Sequence, residues 1–378
     1  MLKIQKKEKI TFLLIFLFSL IICSGFIKMH YTADTYRIAD MGYKYYAYNY
    51  FLKDGRIFTN ILLMIAYLLK LPIQITNYIF IITSIFISCI SVIVLKNIIL
   101  GIKPAESKKR ELMVLVISYL AIFNFMYIET LYFLETVIMS TSILLYILAT
   151  KMIIDKKKYY FYKALILTIL GIVSYQGTIS FFIILSIALL LIKHKTINKE
   201  FIKDGFFIAL ISLLTAIISL LEVKFIGDFY GFNQSRVNIN NIVYNLLYIL
   251  RNMSSILIDT CGFLPKYIFL CSILFLVIIS FIYVRKEKNK DYSHIINIAF
   301  IIIATILASF VVFLSTQSSF NSGRMYVGLG SLSMLIILYL YCDTNIMENR
   351  ELSIILNIFI MVTFIANTIY YISLTWQV

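Results

Sequence analysis

The run ITFLLIFLFSLIICSGFIKM, residues 10–29, is almost wholly apolar, and HYTADTYRIADMGYKYYAYNYFLKDGR, residues 30–56, follows it directly. The second stretch abruptly concentrates charged residues and tyrosines. An apolar run of about 20 residues is long enough for an α-helix to cross the hydrocarbon core of a bilayer. The two stretches therefore predict a membrane-spanning helix followed by a polar segment at the membrane surface.

The composition of the whole chain indicates an integral membrane protein. The 378 residues are 61% hydrophobic, with a mean hydropathy of +0.92, whereas soluble domains are about 45–50% apolar. Apolar runs of membrane-crossing length recur along the sequence, which favours helices over a β-barrel. The sequence predicts an all-α polytopic protein in which residues 1–378 form a single transmembrane domain.

The net charge of +15 is explained by membrane orientation rather than by nucleic-acid binding. Most Lys and Arg residues fall in short segments between apolar runs, and such clusters mark the cytoplasmic side. The clusters occupy residues 3–9, 96–110, 151–163, 193–203 and 285–290. We therefore expect a multi-pass protein of the cell (plasma) membrane, with a cytoplasmic N-terminus and no nucleic-acid partner.

The apolar runs predict about eleven transmembrane helices. They cover residues 10–29, 75–95, 112–127, 134–151, two halves of 164–192, 206–226, 267–284, 295–314, 326–342 and 353–373. Two polar segments then lie outside the membrane, at 30–74 and 227–266. Within the first, residues 57–70 are apolar but too few to cross, so we expect an interfacial or re-entrant helix there.

The run 164–192 has basic residues at both ends, so it must enter and leave the membrane on the same side. This requires a break, which we predict at Ser174-Tyr175-Gln176-Gly177. Irregular backbone inside a membrane is tolerated where it is buried in protein or lines a cavity. The break therefore indicates a cavity near Tyr175 and Gln176.

Candidate site residues come from the polar groups on the predicted outer side. A carboxylate at the membrane surface can take a proton from an attacking hydroxyl, and Asp34 and Asp40 are the catalytic candidates. Arginine binds phosphate in a bidentate manner, and Arg37, Arg56 and Arg324 are the candidates for that role. In the simpler alternative, Asp34 and Arg37 form a solvated ion pair in an ordinary loop.

Four further residues are candidates to line a cavity for sugar and acceptor groups: Glu129, Glu135, Tyr175 and Gln176. The two glutamates could instead only solvate a turn, and Tyr175 and Gln176 could make ordinary hydrogen bonds between helices. The tyrosines from Tyr43 to Tyr50 suit an interfacial aromatic belt. The cysteines and histidines show no metal-ligand spacing and no disulfide framework, so no metal site is predicted.

These motifs resemble the O-antigen glucosyltransferase family of bacteria and their phages, within the GT-C superfamily of polyprenyl-phosphate-sugar transferases. The similar residues are Ala33-Asp34-Thr35-Tyr36-Arg37, the segment Tyr50 to Arg56, the run FLETVIMSTSILLY and the Tyr-Gln of the break. The resemblance covers roughly residues 10–192. Ala33 stands where the family has the first of two aspartates, so either Asp34 suffices alone or Asp40 supplies the second carboxylate.

The resemblance implies a GT-C-like bundle and a hexose transfer from a polyprenyl-phosphate-linked donor to a cell-surface glycan outside the cytoplasm. It implies a catalytic aspartate in the first outer segment, and it points to a donor synthase and a small flippase as partners. Cofactors are not expected, and a role for a divalent metal is left open. Two alternatives remain: a polymerase of polysaccharide repeat units, and a flippase or transporter of lipid-linked glycans.

Overall fold

The computed structural model describes residues 6–27, 32–231, 242–260, 268–286, 292–311 and 326–376, and this part of the chain is helical without any strand. Its α-helices are α1 Lys6–Ile22, α2 Ser24–Ile27, α3 Ala33–Met41, α4 Tyr43–Tyr46, α5 Ile57–Leu68, α6 Ile73–Ile102, α7 Lys108–Ile122, α8 Ile128–Leu131, α9 Thr136–Asp155, α10 Tyr160–Ser174, α11 Ile179–His194, α12 Lys199–Tyr230, α13 Ile242–Thr260, α14 Ile268–Lys286, α15 Ser293–Val311, α16 Val327–Gly330, α17 Leu332–Cys342, α18 Thr344–Glu348 and α19 Arg350–Trp376. A π-helical segment, Ala47–Leu52, follows α4, and a 3₁₀ turn, Gln176–Thr178, precedes α11. The all-α prediction is confirmed.

Six of the described helices are long and apolar enough to cross a membrane: α6, α9, α11 with its preceding turn, α12, α15 and α19. Four shorter helices, α5, α10, α14 and α17, are also apolar. The protein is therefore an α-helical polytopic membrane protein. The six long helices do not reach the predicted count of about eleven.

The bundle is built around α11. In its most apolar window, 78% of the positions are buried, against 17% in α19. Helix α9 packs along both α6 and α10, and α11 packs against α9, α12 and α15. Helix α19 therefore presents most of its apolar surface outward, as a helix in contact with lipid does, whereas α11 lies inside protein.

Several helices extend beyond the predicted membrane spans. Helix α6 continues to Ile102 rather than ending at residue 95. Lys96 is buried inside the bundle because its ammonium lies 3.3 Å from the Glu111 carboxylate, so this charged residue does not mark the membrane surface. Helix α12 covers residues 199–230 rather than 206–226. The predicted span 112–127 is interrupted instead, since α7 ends at Ile122 and the Asn124 side chain accepts hydrogen bonds from the next turn of backbone.

The predicted break in the run 164–192 is confirmed. Helix α10 ends at Ser174, Tyr175 is extended, and the 3₁₀ turn leads into α11. At the far end of α11, the Lys193 Nζ atom donates a hydrogen bond of 2.7 Å to the Ile154 carbonyl, near the end of α9. Since α10 starts just after α9, the run begins and ends at the same end of the bundle.

The segment 30–74 is largely helical within its described residues, rather than an irregular loop. The Thr32 hydroxyl caps α3 by accepting a hydrogen bond of 3.3 Å from the Thr35 N–H, and Gly42, at φ +84°, separates α3 from α4. Helix α5 has 12 residues and a length of about 18 Å, so it is too short to cross a bilayer core of about 30 Å. The second segment, 227–266, likewise contains the end of α12 and the whole of α13.

Candidate functional site

Arg56 lies at the centre of a polar cluster formed by α3, the π-helical segment, α9 and the break before α11. Its side chain is only 12% exposed. One guanidinium nitrogen, Nη1, lies 3.5 Å from the Glu135 Oε1 atom. The guanidinium also lies over the Tyr175 ring at 5.2 Å and the Phe51 ring at 5.7 Å, within the range of cation–π attraction.

The guanidinium remains a cation in this buried position. Burial by itself disfavours the charged form of Arg56, but Tyr175, Asp54, Glu135 and Asp34 surround the group and raise its pKa above the ordinary value. The cluster therefore holds a permanent positive charge inside protein, and several acidic groups compensate it.

The hydrogen-bonding capacity of Arg56 is not used up by these neighbours. Its Nε atom is buried and makes no hydrogen bond to any described residue, and the 3.5 Å contact to Glu135 is longer than an ordinary N–H···O bond. Guanidinium offers five N–H donors in a planar fork. Arg56 is thus able to bind an additional planar or tetrahedral anion.

Asp34 occupies the first turn of α3, where a carboxylate interacts favourably with the helix N-terminus. The Tyr46 hydroxyl donates a hydrogen bond of 2.8 Å to Asp34 Oδ1, and Arg37 Nη1 lies 3.9 Å from the same oxygen. Burial, this hydrogen bond and the nearby negative charges of Asp34 and Glu135 raise the pKa of Tyr46 well above its usual range. Tyr46 therefore remains a hydrogen-bond donor to Asp34 at physiological pH.

The break before α11 is tied to the turn that carries Arg56. Gln176 Nε2 donates a hydrogen bond of 2.9 Å to the Asp54 carbonyl, and Tyr175 supplies the ring beneath the guanidinium. We use the name Arg56 cluster for the following residues: Asp34, Arg37, Tyr46, Phe51, Arg56, Glu135, Tyr175 and Gln176. The cluster joins segments separated by more than 100 positions in sequence.

A comparison of this chain with protein-family models, with curated proteins and with solved structures found no match.

Six of the nine residues named from the sequence belong to the Arg56 cluster: Asp34, Arg37, Arg56, Glu135, Tyr175 and Gln176. Asp40 lies exposed near the end of α3, and no hydrogen bond or ion pair joins its side chain to the cluster in the described part of the chain. Glu129 lies half-buried in α8, and the ion pair with Arg56 is made by Glu135 instead. Arg324 lies outside the described residues.

Sequence reasoning missed three residues at this place. Tyr46 is buried and bonded to Asp34, although its neighbours suggested a membrane-surface belt. Phe51 forms one face of the guanidinium site, and Glu222 of α12 lies beside the Arg56 turn. No spacing rule connects these positions to Asp34 or Arg56, but a charged residue inside an apolar span, as Glu222 is, is itself a signal of function.

The arrangement combines a buried cation with carboxylates and aromatic rings. A cation with unused donors suits a phosphate group, and carboxylates and ring faces suit the hydroxyls and apolar faces of a sugar. Among the residues that the structure describes, no group of three or more His, Cys, Asp or Glu side chains has the arrangement of a metal site.

Proposed function

We propose that this protein is a GT-C-like membrane glycosyltransferase that moves a hexose from a polyprenyl-phosphate-linked donor to a cell-surface glycan outside the cytoplasm. The observation that carries the proposal is the buried Arg56 guanidinium, which has unused N–H donors and lies in the same cluster as the Asp34 carboxylate. The combination suits a reaction in which a phosphate leaves while a hydroxyl loses its proton.

The proposal includes about eleven membrane crossings, a cytoplasmic N-terminus and a location in the plasma membrane. Besides the six long helices, the apolar α1, α7, α10, α14 and α17 would complete the count. The positions of the clusters support this topology. Arg56, Glu135 and Tyr175 share one end of the bundle, whereas the basic residues Lys156 and Lys193 share the opposite end, as expected for outer and cytoplasmic faces.

In the proposed reaction, Asp34 takes the proton of the acceptor hydroxyl, or positions the group that does. Arg56 and Arg37 bind the donor phosphate and stabilise the negative charge that develops on it as the sugar leaves. Glu135 holds Arg56 in place, and Tyr175 and Gln176 line the sugar cavity. Arg324 is proposed as a further phosphate ligand, on the basis of the sequence alone. Helix α5, at the membrane surface, would border the path of the prenyl chain.

The decisive experiment replaces Asp34 with Asn in the full-length protein. We expect the transfer of hexose from a polyprenyl-phosphate hexose to the native acceptor to fall about 10²–10⁴-fold, the usual contribution of a general base. Asp228→Asn, which changes an exposed carboxylate of α12, serves as the control. Asp40→Asn, measured in parallel, decides whether Asp34 acts alone.

Turnover at the wild-type rate in Asp34→Asn would overturn the assignment of Asp34. If Arg324→Ala were inactive at the same time, the polymerase alternative would be favoured. Cysteine labelling that placed position 34 in the cytosol would contradict the topology as well.

The transporter alternative draws on one observation, the carboxylate of Glu222 within a candidate membrane helix. A flippase would move a fluorescent lipid-linked glycan across a liposome membrane without changing it. Such movement, without any hexose transfer, would replace the enzyme proposal.

A further inference from the structure

The start of α10 packs against the third turn of α12, at the end of the bundle far from Arg56. The Phe207 ring of α12 lies 6.1 Å from the Tyr160 ring of α10. Eight positions further along each helix, the hydroxyls of Thr168 and Thr215 form a hydrogen bond of 3.0 Å. The equal spacing of the two contacts shows that both helices run in the same direction. The first two turns of α12 therefore extend past the start of α10, beside the loop that precedes it.

This junction carries a dense group of lysines. The segments 151–163 and 193–204 contain nine lysines and three carboxylates. One of the carboxylates, Asp204, is buried and already paired with Lys156 and His194. Six further lysines are exposed, and in the described part of the chain none of their ammonium groups lies within ion-pair distance of a carboxylate. We use the name lysine patch for these six: Lys157, Lys158, Lys163, Lys195, Lys199 and Lys203.

The basic residues at the start of α7 show that a position near the membrane surface does not by itself leave cations uncompensated. Arg110 Nη1 lies 2.9 Å from the Glu106 carboxylate, within the same turn of chain. In the lysine patch, Lys199 and Lys203 instead lie four positions apart on α12, where like charges repel each other. An external anion would relieve this repulsion.

Exposed aromatic and apolar side chains continue both helices beyond the lysines. On α10 they are Tyr162, Ile166 and Leu170, and on α12 they include Phe206 and Leu213. Tyrosine is favoured at the membrane–water interface, and the apolar side chains of the candidate membrane helix α12 face outward from the bundle. The order along the surface, first cationic, then aromatic, then apolar, matches the order of headgroup and acyl chains in a phospholipid.

We propose that the junction of α10 and α12 binds an anionic phospholipid, with its phosphate on the lysine patch and its acyl chains along the exposed apolar side chains. Lys157 and Lys203 lie nearest to the packing contact. The Lys157 carbonyl accepts a hydrogen bond of 2.9 Å from the Tyr160 N–H, and Lys203 lies one turn before Phe207. A lipid with two phosphates, such as cardiolipin, would engage several lysines at once. The inference is independent of the proposed function, because it uses no residue of the Arg56 cluster.

The test titrates the full-length protein in detergent with cardiolipin and with phosphatidylcholine, and native mass spectrometry measures the bound lipid. The wild type should bind cardiolipin about a hundredfold more tightly than phosphatidylcholine. The double variant Lys157→Gln, Lys203→Gln should lose about thirtyfold in affinity for cardiolipin, the combined value of two lysines at an anionic membrane surface. The control, Lys70→Gln, Lys224→Gln, removes two exposed lysines outside the patch and should bind like the wild type.

Equal affinities of the wild type for the two lipids would overturn the site, and so would an unchanged affinity in the double variant. Displacement of cardiolipin by millimolar inorganic phosphate would identify a free anion as the ligand and would equally contradict a lipid site. Lys157→Arg, Lys203→Arg keeps both charges and should keep the affinity, so a loss there would show that charge is not the cause. If thermal unfolding shows that the double variant is not folded, each single Lys→Gln variant should lose about fivefold.

Discussion

The two ends of the bundle differ in how completely their buried charged side chains are paired. At one end, Asp204 is 1% exposed, and both of its oxygens are engaged, by Lys156 Nζ at 2.7 Å and by His194 Nε2 at 3.0 Å. At the other end, Arg56 has one carboxylate contact, at 3.5 Å, and two ring contacts, and its buried Nε atom donates no hydrogen bond to a described residue. We call the first group, Lys156, His194 and Asp204, the Asp204 cluster.

The difference favours a structural role for the Asp204 cluster and supports the proposed binding role of the Arg56 cluster. The Asp204 cluster ties the loop after α9 to the end of α11 and the start of α12, and its short contacts leave little capacity for anything else. In the Arg56 cluster, by contrast, the buried Nε atom of Arg56 donates no hydrogen bond to any described residue. Buried polar groups are normally satisfied, so unused capacity at one end and full use at the other favour a binding site around Arg56.

The largest expected effect comes from Arg56→Gln. The loss of the cation should weaken farnesyl phosphate binding by about a hundredfold or more. It should also lower the free energy of unfolding by about 3–5 kcal/mol, because the buried ion pair between Arg56 and Glu135 is broken. Calorimetric titration and unfolding in detergent measure the two effects.

The double variant Arg56→Gln, Glu135→Gln separates binding from stability. It should regain much of the stability, because the carboxylate in contact with position 56 is neutralised together with the guanidinium, without regaining the affinity for phosphate. If the double variant recovered both its stability and its affinity for phosphate, Arg56 would be a structural residue, like the members of the Asp204 cluster. The two ends of the bundle would then not differ in function.

A smaller effect, on stability alone, is expected for Asp204→Asn. The amide keeps the shape of the side chain but loses two charge-assisted contacts, so the free energy of unfolding should fall by about 1–3 kcal/mol. The affinity for farnesyl phosphate should not change. A parallel loss of affinity would show that the two ends are coupled, and the division into a structural and a binding end would then be untenable.

The smallest effect is expected for Tyr46→Phe, which removes the hydroxyl bonded to Asp34. Hexose transfer should fall by about fivefold, the value of one hydrogen bond of about 1 kcal/mol. Because the pKa of Tyr46 is raised in the folded protein, its contribution to stability is complete below the unfolded pKa of about 10 and declines above it. The stability difference between wild type and Tyr46→Phe should therefore be constant from pH 7 to 9 and shrink at higher pH. A constant difference up to pH 11 would contradict this coupling.

Hydropathy and charge located the break before α11 correctly, whereas α6, α7 and α12 begin or end elsewhere than the predicted spans. The break at Ser174 to Gly177 was predicted because basic clusters flank both ends of residues 164–192, so the run must cross the membrane an even number of times. Glu135, Tyr175 and Gln176 were selected because they lie at the predicted ends of spans, and these residues do meet around Arg56.

The remaining features depend on packing between distant segments, which single-sequence patterns do not contain. A boundary was predicted at Lys96 because charge usually marks the membrane surface, but its pairing with Glu111 allows α6 to continue. Tyr46 was grouped with surface tyrosines, whereas its ring is stacked on Tyr50 at 4.4 Å and its hydroxyl reaches Asp34. Nothing in the spacing of these residues distinguishes Tyr46 from the exposed Tyr45.

The π-helical segment 47–52 determines how the side chain of Tyr46, which contacts Asp34, is oriented relative to that of Phe51, which contacts Arg56. Tyr46 and Phe51 are five residues apart, yet their rings touch, with centroids 5.3 Å apart. In an ordinary α-helix, positions five apart point in directions about 140° apart, whereas the wider π turn brings them together. Tyr46 can thus support Asp34 while Phe51 supports Arg56. Removing one of residues 47–50 would place the two aromatic positions four apart, about 40° from each other in an α-helix, so a shortened chain should keep the contact between the two rings.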